Sequence, residues 1–145
     1  MLESLYPKRC PICNDVILKE QRTCKECYPR IHFVKTPCCM QCGRPIANDE
    51  QEYCLDCEKY KRTFEKGFIL MEYDDVTIPS LSAFKYHNAR EYSEFYALEI
   101  RERLGEQLNS LGIEGLIPVP IHKRKRKTRG YNQAQVLTAS LSKVL

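Results

Sequence analysis

The sequence contains no apolar run near the roughly 18 residues that a membrane span requires. Its first residues, Met1–Leu5, lack the basic start and apolar stretch of a secretory signal peptide. Net charge is also modest: the chain carries +4, and residues 123–129 alone contribute six positive charges, so the remainder sums to −2. These absences predict a cytoplasmic protein without membrane insertion, whose basicity is one local patch and not a general polyanion-binding surface.

Large aliphatic side chains are scarce in the N-terminal third, which therefore cannot bury enough surface to fold unaided. All nine cysteines of the chain instead lie within its first 57 residues. Because the cytosol keeps thiols reduced, disulfides are not expected there. Eight of the cysteines form Cys-x2-Cys pairs, ten residues apart in the first block and eleven in the second. The candidate metal ligands are Cys10, Cys13, Cys24, Cys27, Cys39, Cys42, Cys54 and Cys57.

This spacing predicts two structural zinc sites, because two tight Cys-x2-Cys turns supply the four tetrahedral sulfurs that zinc prefers. Four thiolates leave no open coordination position, so no catalytic residue is assigned here. A rubredoxin-like iron site or an iron–sulfur cluster is a less favoured alternative. Pairing could be sequential within each block or crossed between blocks, and sequential pairing is the simpler hypothesis. Cys38 has no partner pair and is interpreted as a free thiol.

The rest of the chain shows both helical and strand patterns. Apolar spacing predicts a short helix ending near residues 85–88 and a longer one from about Ala89 to Ser110. Apolar runs at 67–73 and 113–120 predict strands. Their order favours an α/β fold with a parallel sheet. The predicted domains are residues 1–60 and residues 64–145.

The stretch after residue 113 combines a predicted strand, a basic loop and a helix beginning at Gln133. Asn132 can cap that helix, because its side-chain oxygen can accept from the exposed N–H groups of the first turn. Free N–H groups, a helix dipole and clustered cations together favour a phosphate ligand. The alternative is a solvated basic loop or a general nucleic-acid patch. The predicted phosphate- or nucleic-acid-binding residues are Lys123, Arg124, Arg126, Arg129, Gly130, Tyr131, Asn132 and Gln133.

Taken together, these motifs resemble the ComF family, a late-competence group related to phosphoribosyltransferases. The resemblance rests on the double cysteine array CPIC…CKEC…CMQCGRP…CLDC, on AFKY at residues 83–86, and on PVPIHKRKRKTRGYNQAQVL. It implies an N-terminal double zinc ribbon followed by the first part of a type I phosphoribosyltransferase-like domain. In such enzymes the matching strand–loop–helix is the pyrophosphate-binding loop. The family's ribose-phosphate loop lies further along, so the chain is expected to be C-terminally truncated.

The resemblance also implies a function: a competence factor for uptake or processing of transforming DNA, binding phosphate or single-stranded DNA. Expected partners are single-stranded DNA and a competence DNA helicase or other DNA-uptake and recombination proteins. One alternative is a phosphoribosyltransferase that uses phosphoribosyl pyrophosphate, complete only in a full-length form. Another is a zinc-ribbon adaptor that binds a protein partner.

Overall fold

A computed structural model describes residues 7–145. It divides them into two compact units, one formed by the described residues up to Ile31 together with Tyr73–Leu145, the other by His32–Glu72. The helices are α1 (Leu55–Lys59), α2 (Thr77–Tyr86), α3 (Tyr92–Ser110), α4 (Lys123–Arg129) and α5 (Gln133–Leu141), with a 3-10 turn at Tyr28–Arg30. None of the helices in this described part has the length and hydropathy that crossing a bilayer requires.

The first unit has an aromatic core formed by α2, α3 and the turn that precedes α5. Phe84 of α2 lies 5.5 Å from Tyr96 and 6.4 Å from Tyr131, measured between ring centroids. The hydroxyl of Tyr96 is hydrogen-bonded to Ser80, and that of Tyr131 donates to the carbonyl of Phe84. The buried rings therefore satisfy their polar atoms as well as packing together.

Helices α2 and α3 confirm what the apolar spacing predicts for the middle of the chain. The carboxylate of Asp74 starts α2 by accepting from the N–H groups of Val76 and Thr77, at 3.0 and 2.9 Å. Asp74 thus acts in an ordinary turn ahead of a helix, the role that Asp residues commonly take. Further along, the Ser93 and Ser140 hydroxyls are hydrogen-bonded at 2.8 Å and join α3 to α5.

The predicted α/β fold with a parallel sheet is wrong. Residues 7–145 contain no sheet, only three isolated antiparallel bridges. The 67–73 segment pairs with the cysteine-rich region instead: Val34 N–H donates to Leu70 O at 3.1 Å and Glu72 N–H to His32 O at 2.8 Å. Its backbone groups find partners nearby in the second unit, so they form no ladder with the 113–120 segment.

The 113–120 segment is extended but pairs with no strand among the described residues. Pro118 and Pro120 have no N–H to donate, which removes alternate donors from any ladder. Ile117 and Val119 are 93% and 73% exposed, so this run is not the buried strand that its apolar character predicts. One backbone contact is specific: the Asn132 side chain donates to the Val119 carbonyl at 3.0 Å.

The predicted basic loop is also different, because residues 123–129 form helix α4. His122 caps its start, with Nδ1 accepting from the Arg124 N–H at 3.3 Å. Gly130 ends it in the left-handed conformation, φ 81°, and donates its N–H to the Arg126 carbonyl at 2.8 Å. Lysine and arginine are good helix formers, so a cap at each end is enough to make this short basic run helical.

Candidate metal centres and cationic surface

The eight predicted ligands form two separate clusters of four cysteines. Within each cluster the sulfurs lie within 4.8 Å of one another. Pairing is sequential, which decides between the two arrangements that spacing leaves open. The clusters are Cys10, Cys13, Cys24 and Cys27 in the first centre, and Cys39, Cys42, Cys54 and Cys57 in the second.

Sulfur spacing fits tetrahedral zinc. With Zn–S bonds of about 2.3 Å, the sulfurs of a tetrahedral site lie about 3.8 Å apart. Here Cys13 and Cys24 are separated by 3.7 Å, Cys10 and Cys24 by 3.9 Å. In the second centre the Cys42 and Cys54 sulfurs lie 3.7 Å apart. A disulfide needs about 2.05 Å, so these are metal-site distances and the two centres fit two structural zinc ions.

The two centres repeat the same backbone turn. In each, the N–H of the first cysteine donates to the carbonyl five residues later, from Cys10 to Asp15 and from Cys39 to Arg44, both at 2.8 Å. The residue four positions after each first cysteine is left-handed: Asn14 has φ 65° and Gly43 φ 73°. The cysteine repeat in the sequence is therefore a repeat in structure.

Gly43 is required for a second reason besides its positive φ. A Cβ built there would lie 2.6 Å from the carbonyl oxygen of Gly67, closer than real contacts allow. The segment at residue 67 therefore passes directly over the second cysteine turn. This close approach supports the turn that presents Cys39 and Cys42.

In both centres the first cysteine is the one whose environment favours the thiolate. Burial raises the pKa of the Cys39 thiol, but backbone N–H groups, Cys42 and Cys54 foremost, outweigh it and bring the pKa to about 6. For Cys10, too, burial raises the pKa and backbone hydrogen bonds lower it, and the pKa is lowered overall. Burial raises the pKa of Cys13 and of Cys42. Metal loading must therefore displace protons from Cys13 and Cys42, as thiolate ligation requires.

Cys38 lies outside both clusters, although it is adjacent to Cys39. Its thiol donates to the Lys35 carbonyl at 3.1 Å, and burial raises its pKa. A raised pKa and a backbone partner describe an unreactive structural thiol. This agrees with the interpretation of Cys38 as a free cysteine.

A network of charges joins the first centre to α3, and the sequence indicates one part of it, the pair of Glu99 and Arg103 four positions apart on that helix. The carboxylate of Glu99 is fully buried and accepts from Arg22 at 3.2 Å and from Arg103 at 3.1 Å. The Tyr28 hydroxyl donates to the same carboxylate at 3.3 Å. Nearer the first cysteine turn, the Tyr92 hydroxyl donates to Asn14 at 2.8 Å.

Helix α4 presents its cations to solvent. Lys123 through Lys127 are exposed, and no ion pair to a carboxylate involves any α4 side chain within residues 7–145. Lys123 and Lys127 lie one turn apart, as do Lys125 and Arg129, which places like charges side by side. The predicted binders Lys123, Arg124 and Arg126 thus form one solvated cationic surface.

The turn after α4 is built into the protein core. Tyr131 is buried, 6% exposed, and its hydroxyl bond to Phe84 holds it there. The Asn132 side chain accepts from the Ala134 N–H at 3.0 Å, which confirms the predicted cap of α5. Arg129 donates to the side chain of Gln133. Asn132 and Gln133 therefore already have protein partners, and the accessible cations lie on α4.

Two arginine–aromatic contacts border this turn. The Arg90 guanidinium lies 4.5 Å from the ring centroid of Tyr131, and the Arg129 guanidinium lies 4.8 Å from that of Tyr86. Arg90 is exposed and adds a further cation to the surface. Sequence reasoning missed Arg90 and Tyr86 as site residues, because both precede the basic segment by more than thirty positions. The AFKY motif was the only available signal for Tyr86.

Comparison with known proteins agrees with the zinc centres and with the resemblance drawn from the motifs. Residues 1–58 match the double zinc ribbon domain family. The chain is 23% identical over 130 residues to "Competence protein ComFC" of Bacillus subtilis (strain 168), an alignment covering 86% of this chain and 53% of that protein.

A second relative is "Competence protein F" of Haemophilus influenzae (strain ATCC 51907 / DSM 11121 / KW20 / Rd), 27% identical over 139 residues, covering 84% of this chain and 60% of that protein. The chain thus spans little more than half the length of these relatives. No solved structure shows a significant match. The resemblance is confirmed: the chain has homologues named as competence proteins, and its N-terminal part is a double zinc ribbon.

Proposed function

We propose that this chain acts in competence, in the uptake or processing of transforming DNA, and that helix α4 binds the phosphates of single-stranded DNA. The competence-related role follows from the names of its relatives. The observation that supports DNA binding is the exposed cationic surface of α4, whose side chains form no ion pair with a carboxylate within residues 7–145. In this proposal the zinc ions do not contact the DNA, because each centre is closed by four thiolates.

The charge arrangement of α4 favours a polyanion. Six cations occupy seven positions, and like charges one turn apart destabilise a helix in water. A bound phosphate chain relieves that repulsion and releases its own counterions, which is the main source of protein affinity for nucleic acid. Helix α4 itself contains no Asp or Glu whose carboxylate could compete with a phosphate for these cations.

The surface is also anchored, which distinguishes it from a basic tail. Gly130 closes α4, and Tyr131 directly behind it is fixed in the aromatic core. The backbone leaving α4 is therefore held at Tyr131, and the last cation, Arg129, is half-buried against Tyr86. We infer that the phosphate chain is bound by a fixed array of cations.

The test is the affinity of the zinc-loaded chain for a short single-stranded oligonucleotide, measured by fluorescence anisotropy at several salt concentrations. Lys125→Ala should lower the salt slope by about 0.7, the value expected for one phosphate contact on a single strand. Arg129→Ala should cost more affinity, because Arg129 is held in place. Gly130→Val should weaken binding without any charge change, because valine is strained at φ 81°.

Lys61→Ala is the matched control: it removes an exposed cation of the second unit and should leave the affinity unchanged. Equal losses for Lys61→Ala and Lys125→Ala would reduce the proposal to nonspecific charge attraction. Pyrophosphate is tested in parallel with the same variants. Pyrophosphate binding without oligonucleotide binding would contradict DNA as the ligand and favour a small phosphate ester.

A further inference from the structure

The last residue of α2 exposes an aromatic ring next to the cationic helix. Tyr86 is 65% exposed, whereas Phe84, two residues earlier on the same helix, is 4% exposed. An aromatic ring gains about 1.5 to 3 kcal/mol when it is buried, so a ring this exposed contributes little to folding. The Tyr86 ring is therefore better explained by what it contacts on the protein surface than by a role in the core.

The Tyr86 ring contacts a cation and is otherwise largely exposed. The Arg129 guanidinium lies 4.8 Å from the Tyr86 centroid, and Arg129 is itself held by Gln133. With most of the residue exposed, the face away from Arg129 is accessible. The ring thus stands at the C-terminal end of α4, beside the cations that the phosphate chain would follow.

The neighbouring arginine–tyrosine pair shows what differs at Tyr86. Arg90 lies over Tyr131 at 4.5 Å, a closer contact, yet Tyr131 is only 6% exposed and packs on Phe84. No ligand can reach that ring. Of these two pairs, only Tyr86 and Arg129 combine a fixed guanidinium with an accessible aromatic face.

A cationic track beside an exposed aromatic face is the arrangement by which proteins bind single-stranded nucleic acid, with bases stacking on the ring. In a duplex the bases are already stacked and paired, so none can lie on the ring without disrupting the helix. We propose that Tyr86 stacks against an unpaired base, and that this contact makes the cationic helix select single strands over duplex. The inference rests on the proposed DNA binding by α4.

The test uses the full zinc-loaded chain and three probes of equal length: a single-stranded oligonucleotide, the same oligonucleotide with abasic positions, and its duplex. A 2-aminopurine in the first probe reports stacking by its fluorescence. We expect Tyr86→Ala to lower affinity for the single strand about 5- to 150-fold, the range for losing one stacked base. The abasic probe should bind Tyr86→Ala and the native chain equally, with the same salt slope.

Two further variants separate stacking from structural effects. Tyr86→Phe keeps the ring and should retain both the affinity and the 2-aminopurine signal. Tyr60→Ala is the matched control, since Tyr60 is also an exposed tyrosine, 54% exposed, with a cation (Lys59) 5.3 Å from its ring, but in the second unit. It should behave as the native chain.

The outcomes distinguish this inference from the proposed function. If the native chain binds the abasic probe as tightly as the single strand, or if Tyr86→Ala binds the single strand normally, stacking on Tyr86 is refuted while phosphate binding by α4 stands. If the native chain binds none of the probes at low salt, the proposed function fails, and the inference fails with it.

Discussion

Glu99 supports both the first metal centre and the long helix α3, and we expect Glu99→Ala to lower the free energy of unfolding by about 2 to 4 kcal/mol. Its carboxylate is fully buried. It accepts hydrogen bonds from Arg22 and Tyr28, which flank the second cysteine pair of that centre, and from Arg103 on α3. The variant removes the acceptor that all three side chains share.

The magnitude follows from the bonds lost and from how far the cations can be rehydrated. Removing one partner of a buried ion pair costs about 3 to 5 kcal/mol when the other charge stays buried. Here the side chains of Arg22 and Arg103 are 38% and 32% exposed, so water can reach both after the substitution. The expected loss of unfolding free energy, about 2 to 4 kcal/mol, is therefore smaller than for a fully buried pair. It is larger than the roughly 1 kcal/mol of one exposed pair.

Thermal unfolding of the zinc-loaded chain, followed by circular dichroism, measures this loss. At about 3 °C per kcal/mol for a chain of this size, Tm should fall by roughly 6 to 12 °C. Glu102→Ala is the control, because Glu102 also pairs with Arg22 but is 54% exposed. Its loss should stay below about 1 kcal/mol.

Zinc release gives a second, site-resolved measurement. Under a chelator, Glu99→Ala should lose zinc faster from the first centre and at the native rate from the second. Alkylation of the freed cysteines and peptide mass spectrometry assign each loss to its centre. The reasoning is refuted if Glu102→Ala costs as much as Glu99→Ala, or if both centres are affected equally.

Two other predictions concern the metal and the core. Elemental analysis should find two zinc ions per chain. Cys10→Ser should leave one zinc ion, whereas Cys38→Ser should keep two. A loss of zinc from Cys38→Ser would contradict the position of Cys38 outside the clusters. Burial raises the pKa of Tyr96 from 10.0 to about 12. The neutral hydroxyl's contribution to the free energy of unfolding is therefore full below pH 10. It is lost as the pH rises toward 12, because the unfolded chain loses this proton first. Urea unfolding should therefore show a shallower decline over this range for Tyr96→Phe than for the native chain, and identical slopes would contradict the assignment.

The metal ligands were predictable because their chemistry is local. A Cys-x2-Cys pair fixes two sulfurs within one turn, so spacing alone names the ligands. Pairing between turns is less local, yet each block is short enough to close on itself. What spacing could not show is the support for each turn, such as the approach of Gly67 to Gly43 from 24 positions along the chain.

The sheet was mispredicted because an apolar run identifies a strand-like segment but not its partner. Residues 67–73 have the composition of a central strand, yet they pair antiparallel with residues 32–34. Residues 113–120 pair with nothing among the described residues, and two prolines limit their donors. The order of elements therefore suggested a topology that the backbone pairing does not form.

Helix α4 was missed for the opposite reason, since it has no apolar face to produce a periodic pattern. Its ends were nevertheless readable: Gly130 is a typical C-terminal stop, and the residues between the caps are helix formers. The spacing of Glu99 and Arg103 on α3 could have indicated their pair, but the contacts of Tyr86 with Arg129 and of Glu99 with Arg22 could not be predicted. Arg22 meets Glu99 across 77 positions, and only the fold brings them together.

The two zinc centres repeat one turn but stabilise different things. Around the first, the partners are side chains of α3: Tyr92 bonds to Asn14, and Glu99 to the residues flanking the second cysteine pair. Around the second, the partners are backbone groups of residues 64–67, reached by Gln41 and by the close approach at Gly43. Loss of the first zinc should therefore loosen α3, which packs on α5 and, through Tyr96, on Phe84, the residue that holds Tyr131 behind the cationic helix. Loss of the second should affect only residues 32–72, so the proposed DNA binding should depend on the integrity of the first centre alone.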